Sequence, residues 1–135
     1  MNYQIQASSI AKKDATAHIK QSNIAFGTTS ETAASLPNPA ELFLSSIAAC
    51  ILKNVERFST MMRFTYTKAE IVVHAVRPEK PPRMDDIVYD LKIYSDDKKL
   101  NTALLLKNIE KHGTIYNTVK LSGSISGTIT QVTDV

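Results

Sequence analysis

The most sustained hydrophobic pattern in the chain runs from Pro39 to about Met62. Phe43, Ile47, Ile51, Val55 and Phe58 recur at spacings of three and four, the period of one helical face. No glycine or second proline interrupts the stretch, and Asn38-Pro39 supplies a capping residue followed by a proline suited to the first helical position. A helix of about 24 residues at ~1.5 Å rise per residue spans roughly 36 Å. That is long for so small a chain, so its apolar side needs extensive cover.

Alternation with period two surrounds this helix. Tyr3, Ile5 and Ala7 alternate with Asn2, Gln4 and Gln6, and Ala15 to Lys20 and Asn23 to Phe26 are two further short strands, forming a hairpin or one bent strand. Gly27 to Pro39 is a loop by composition. After the helix, Ala69, Ile71, Val73 and Ala75 mark one face of a strand over Thr65 to Val76. Ile87, Tyr89, Leu91 and Ile93 mark the next, over Ile87 to Tyr94. The intervening Arg77 to Arg83 carries three prolines, so the two strands pair as a hairpin around it. A second helix follows, capped by Ser95 or Asp96 and closed by Gly113. TIYNTV then forms another turn of helix, and KLSGSISGTITQV a last strand. The order predicts a single α+β domain over residues 1–135.

Composition narrows the function classes. The 135 residues are 43% apolar and 21% charged with a net charge of +3, and no basic run exceeds two residues. Nucleic-acid binding is therefore not expected. No segment is long and apolar enough for a membrane span, and the first twenty residues lack the apolar core of a signal peptide, so a cytoplasmic protein is expected. A single cysteine makes no internal disulfide. His18, His74 and His112 are isolated, so no metal site is expected; no phosphate-binding, dinucleotide-binding or serine-nucleophile motif is present, and no cofactor is expected.

Candidate chemistry therefore rests on that cysteine, Cys50. On a helical wheel it sits at the edge of the apolar arc, with Phe43, Ile47 and Phe58 to one side and Ser46, Lys53 and Arg57 to the other. Lys53 and Arg57 are candidate electrostatic helpers, because a nearby cation favours the nucleophilic thiolate. Phe43, Ile47 and Phe58 are candidates for the wall of an apolar pocket. The opposing reading is that Cys50 packs as a small hydrophobe, as most buried free cysteines do.

The string NPAELFLSSIAAC, followed by a long strand, RPEKPPR, another strand and IEKHGTIYNTV, resembles the OsmC/Ohr family of osmotically inducible and organic hydroperoxide resistance proteins. The resemblance implies an OsmC-like fold, antiparallel sheets wrapped around two long helices in an intertwined homodimer, with the partner chain covering the long helix. It also implies reduction of organic hydroperoxides, with Cys50 at the position of the attacking cysteine. Three family features are missing. The second cysteine corresponds to Gly113, the helper glutamate to Ala40, and no arginine precedes Arg57, only Lys12, Lys13 and Lys20. Glu41 lies beside Ala40 but about 180° from Cys50 on the wheel.

Two functions are thus expected to compete. One is a one-cysteine reductase of small organic hydroperoxides that uses an external thiol or dithiol to resolve Cys50. The other is a catalytically degenerate protein that binds a small apolar or acidic ligand at the dimer interface.

Overall fold

The computed structural model describes residues 1–133 as three strands, a long helix, two strands, two helices and a last strand. The chain divides into two compact units, one ending at Phe43 and the other beginning at Leu44.

In the first unit, β1 (Gln6–Ser9), β2 (Ala15–Ile19) and β3 (Ser22–Phe26) form an antiparallel sheet in chain order. Lys12 and Lys20 take left-handed backbone conformations at its two turns, with φ of 65° and 55°. Strand β1 starts later than the Tyr3–Ala7 alternation suggests. Its first pair is Gln6 with His18, and β2 ends at Ile19, so upstream residues have no ladder to join. The loop to the helix contains one 3-10 turn, Ser30–Thr32. The long helix, α1 (Pro39–Met61), then begins as expected. The Asn38 side chain accepts from the Glu41 backbone N–H at 2.8 Å, while the Glu41 carboxylate accepts from the Asn38 N–H at 3.1 Å. This reciprocal pair is a capping box.

In the second unit, β4 (Lys68–Val76) and β5 (Asp85–Tyr94) pair antiparallel around the proline-rich loop, as expected. The last strand, β6 (Ile125–Val132), joins β5 in parallel, from Ile87 against Ile125 to Tyr94 against Val132. The sheet is therefore mixed. Helices α2 (Thr102–His112) and α3 (Thr114–Val119) form the crossover that a parallel pair needs.

Helix α2 starts seven residues after Ser95, and neither Ser95 nor Asp96 caps it. Asn101 does, accepting from Leu104 N–H at 3.0 Å. Ser95 is instead buried, donating to the Thr65 carbonyl at 2.6 Å and accepting from Asp97 N–H at 3.0 Å. The Asp97 carboxylate accepts from the N–H groups of Thr65 and Lys99, both at 2.9 Å. These polar residues hold a loop shut. The periodic signal identified the helix, but several polar residues competed for the role of cap.

The core gathers the faces that the periodicity marked. Ile47, Ile51, Val55 and Phe58 of α1 meet Ile87, Tyr89, Leu91 and Ile93 of β5, Leu105 and Ile109 of α2, and Tyr116 and Val119 of α3. Each such side chain contributes about 1.5–3 kcal/mol by leaving water. Tyr89 is wholly buried, and its ring lies over Gly127 of the neighbouring strand. A Cβ at Gly127 would fall 2.1 Å from a ring carbon, so only glycine admits the ring there. Among the described residues, no helix is long and apolar enough to cross a membrane.

Candidate functional site

Cys50 sits near the middle of α1 with its side chain half-buried. One turn onward, Asn54 is 8% exposed. Its amide donates to the Cys50 carbonyl at 2.9 Å, and its Nδ2 lies 3.7 Å from Cys50 Sγ. The i,i+4 spacing on one helix fixes this arrangement. The thiol thus has one polar neighbour capable of donating to a thiolate.

The second neighbour comes from the corner between α2 and α3. Gly113 is buried there, closing α2 with its N–H on the Ile109 carbonyl at 2.9 Å and opening α3 in extended conformation. A Cβ built on Gly113 would lie 3.4 Å from Cys50 Sγ, 3.1 Å from Tyr116 Cβ and 2.9 Å from the Ile109 carbonyl oxygen. Its φ of −72° is open to any residue, so close approach, not handedness, is what glycine serves here. The Gly113 position therefore faces the Cys50 sulfur.

Behind this corner lies a polar group that the sequence reading did not single out. Tyr116 is 7% exposed. Its pKa is raised by burial and then by Glu110, half-buried on α2 one turn before Gly113. Tyr89 of β5 belongs to the same buried core as Tyr116. Its hydroxyl is buried without a hydrogen-bond partner, and its pKa is raised by burial, by Glu110 and by Tyr116. The only signal in the sequence was spacing: Glu110, Gly113 and Tyr116 are three residues apart. Tyr89 had no local signal, because its alternation marked it as ordinary core.

The other expected residues fall in different surroundings. Lys53 and Arg57 are exposed, and the Arg57 guanidinium lies over the Phe58 ring, 5.4 Å from its centroid. Ile47 and Phe58 are core residues, 0% and 3% exposed, and the His112 ring sits 5.8 Å from that of Phe58. Phe43 is 38% exposed. Ala40 occupies the first turn of α1 beside the capping Glu41. His18 bonds Asn23 at 2.7 Å across a hairpin, and His74 is exposed on β4. Among the described residues, no three His, Cys, Asp or Glu side chains gather as metal ligands.

Comparison with known proteins gives one consistent answer. The family model described as OsmC-like protein matches residues 32–126. No curated protein matches the chain. Among solved structures, an OsmC-like protein from Mycoplasma pneumoniae superposes with a TM-score of 0.86 at 21% identity, covering 98% of each chain. A hypothetical protein from Aquifex aeolicus VF5 gives 0.81 at 18% identity, covering 100% of both chains. An organic hydroperoxide resistance protein OsmC from Legionella pneumophila gives 0.67 at 12% identity, covering 95% of this chain and 97% of that one. At these identities the structures establish the fold, and the family match spans most of the chain from the 3-10 turn to the start of β6. This chain belongs to the OsmC-like protein family.

Proposed function

We propose that the chain is a one-cysteine thiol peroxidase acting on small organic hydroperoxides, with Cys50 as nucleophile and an external thiol as resolver. The observation that carries this reading is the 3.4 Å approach of the Gly113 Cβ position to Cys50 Sγ. The chain keeps the sulfur of α1 and the corner that faces it, and lacks the sulfur on that corner. Similarity to organic hydroperoxide resistance proteins supports the substrate class.

The chemistry follows the thiol oxidation ladder. The Cys50 thiolate attacks the outer oxygen of ROOH; an S–O bond forms, the O–O bond breaks, and the departing alkoxide takes a proton to leave as ROH. The resulting sulfenic acid has no second cysteine in the chain to attack it. An external thiol then forms an S–S bond with Cys50 and expels water. A second thiol releases Cys50 and carries away the disulfide. Asn54 would donate to the sulfur, while Lys53 and Arg57 supply positive charge on the same helix. In this reading the protein works as a homodimer in the cytoplasm.

One equivalent of tert-butyl hydroperoxide followed by dimedone tests the first step. The expected result is a dimedone adduct at Cys50 in the intact mass and its peptide. An unmodified Cys50 contradicts it. A ligand-binding protein without peroxidase activity is the second reading, favoured by Ala40 in place of the family's helper carboxylate. Native mass spectrometry with a short fatty acid distinguishes it, by a bound adduct in a protein that leaves hydroperoxide intact.

A further inference from the structure

Helix α1 carries two like charges on the solvent side of Cys50, and its own carboxylates are engaged elsewhere. Lys53 and Arg57 follow Cys50 by three and seven residues, so at about 100° per residue all three fall within an arc of roughly 60°. Asn54 takes the buried side of the sulfur, while Lys53 and Arg57 are exposed. Long side chains on a helix lean toward its N-terminus, which brings both cations back toward Cys50. The Arg57 guanidinium is held over the Phe58 ring, 5.4 Å from its centroid. Like charges four residues apart on a helix repel. The two carboxylates of α1 do not offset them: Glu41 is in the capping box, and Glu56 accepts from the Tyr66 hydroxyl. Among the described residues, neither Lys53 nor Arg57 has an ion-pair partner.

We propose that Lys53 and Arg57 seat the carboxylate of a small acidic thiol, which resolves oxidised Cys50. Asn54 and the corner at Gly113 close the buried side of the sulfur, so a thiol from outside reaches Cys50 along the side that carries the two cations. Its carboxylate offsets their repulsion while its sulfur meets that of Cys50. An S–S bond forms, the S–O bond of the sulfenic acid breaks, and the hydroxyl leaves with the thiol's proton as water. At ~1.5 Å rise per residue, Lys53 stands about 4.5 Å and Arg57 about 10 Å along the helix from Cys50. With both side chains leaning back, that span suits a short thiol acid such as 3-mercaptopropionate. The role in turnover rests on the external-thiol reading of Cys50; the charge preference at its sulfur does not.

The test converts Cys50 to its 2-thiopyridyl disulfide and follows release of the thione by three thiols of similar length: 3-mercaptopropionate, 3-mercaptopropanol and cysteamine. Each rate is divided by that of the same thiol with the thiopyridyl disulfide of N-acetylcysteine amide, which removes differences in thiol reactivity. Cys50 bears no thiolate in this assay, so any effect of the cations on its own ionisation is absent. The wild type is expected to favour 3-mercaptopropionate over 3-mercaptopropanol about fivefold, the size of an exposed ion pair, and to disfavour cysteamine. Lys53→Gln and Arg57→Gln should each reduce that ratio, and the double variant should bring it to about one. Lys92→Gln removes the same charge from the exposed face of β5, between the core residues Leu91 and Ile93, and should keep the wild-type ratio. If the wild type reduces no hydroperoxide, the peroxidase reading fails alone, because the exchange assay uses none. Equal normalised rates for the three thiols, or a preference that Lys92→Gln lowers as much as the α1 variants do, would overturn the inference.

Discussion

A Cβ on Gly113 would stand 3.4 Å from Cys50 Sγ, in van der Waals contact with the one sulfur of a cysteine in the chain. A sulfur added to that carbon is within bonding reach of Cys50. Gly113→Cys is therefore expected to form an internal disulfide on treatment with hydroperoxide, read as a 2 Da mass loss and the disappearance of both free thiols. Two thiols persisting in the oxidised variant would contradict the geometry. The 2.9 Å approach to the Ile109 carbonyl requires a small backbone shift, so the variant is expected to be less stable in its reduced form.

Gly127→Ala tests the packing that places Tyr89. The added methyl collides with three ring carbons at 2.1–2.3 Å. Overpacking of this kind costs about 1–3 kcal/mol. Urea unfolding should show a lower midpoint at unchanged slope, whereas an unaltered midpoint would mean the ring has room that the structure denies it.

Asn54→Asp places a carboxylate where an amide now sits 3.7 Å from Cys50 Sγ. A like charge disfavours the thiolate, and one pKa unit corresponds to a tenfold change in thiolate fraction. Alkylation of Cys50 at neutral pH is expected to slow by about tenfold or more. An equal rate would place Asn54 outside the thiol's electrostatic reach.

The alkaline limit of stability follows from the tyrosines. Burial, then the hydrogen bond Tyr66 donates to Glu56, pushes Tyr66 up to about 12. Tyr89 is shifted the same way by burial and Glu110. The folded state thus holds these protons more tightly than the unfolded chain. The stabilisation is complete below the ordinary tyrosine value of about 10 and disappears as pH rises through the folded value. Tyr66→Phe should flatten this loss between pH 10 and 12 in denaturant titrations; an unchanged slope would contradict the assignment.

At the acidic end the sign reverses. Backbone N–H groups of Lys99 and Thr65 hold Asp97 below the usual carboxylate range, and those of Ser124 and Asp86 do the same for Asp85. Their contribution is present above the ordinary carboxylate value and is lost as pH falls through the folded one. Asp97→Asn should move the acid unfolding midpoint to higher stability relative to its own neutral-pH value, since one proton-linked loss is gone. An undiminished acid slope would argue against it.

Much of this fold was legible because burial imposes a period. The i,i+3 and i,i+4 pattern marked α1 to within one residue at its end, and the alternation of Ile87, Tyr89, Leu91 and Ile93 marked the core face of β5. Caps were harder to place. Ser95, Asp96 and Asn101 are all good candidates by type, and only the loop that Ser95 and Asp97 hold shut shows which one caps α2. The direction of β6 was hidden too, since alternation is the same in parallel and antiparallel strands. In the site, the approach of the Gly113 Cβ position to Cys50 Sγ joins α1 to the corner between α2 and α3, which no local pattern marks. The packing of Tyr89 and Tyr116 into one core was not legible, because residues from β5 and α3 meet only in three dimensions.

The most direct test of the account is steady-state consumption of tert-butyl hydroperoxide by the wild type and by Cys50→Ser, with dithiothreitol as the only reductant. The account predicts turnover by the wild type and its loss, down to the rate of dithiothreitol alone, in Cys50→Ser. Equal rates for the two proteins would contradict it.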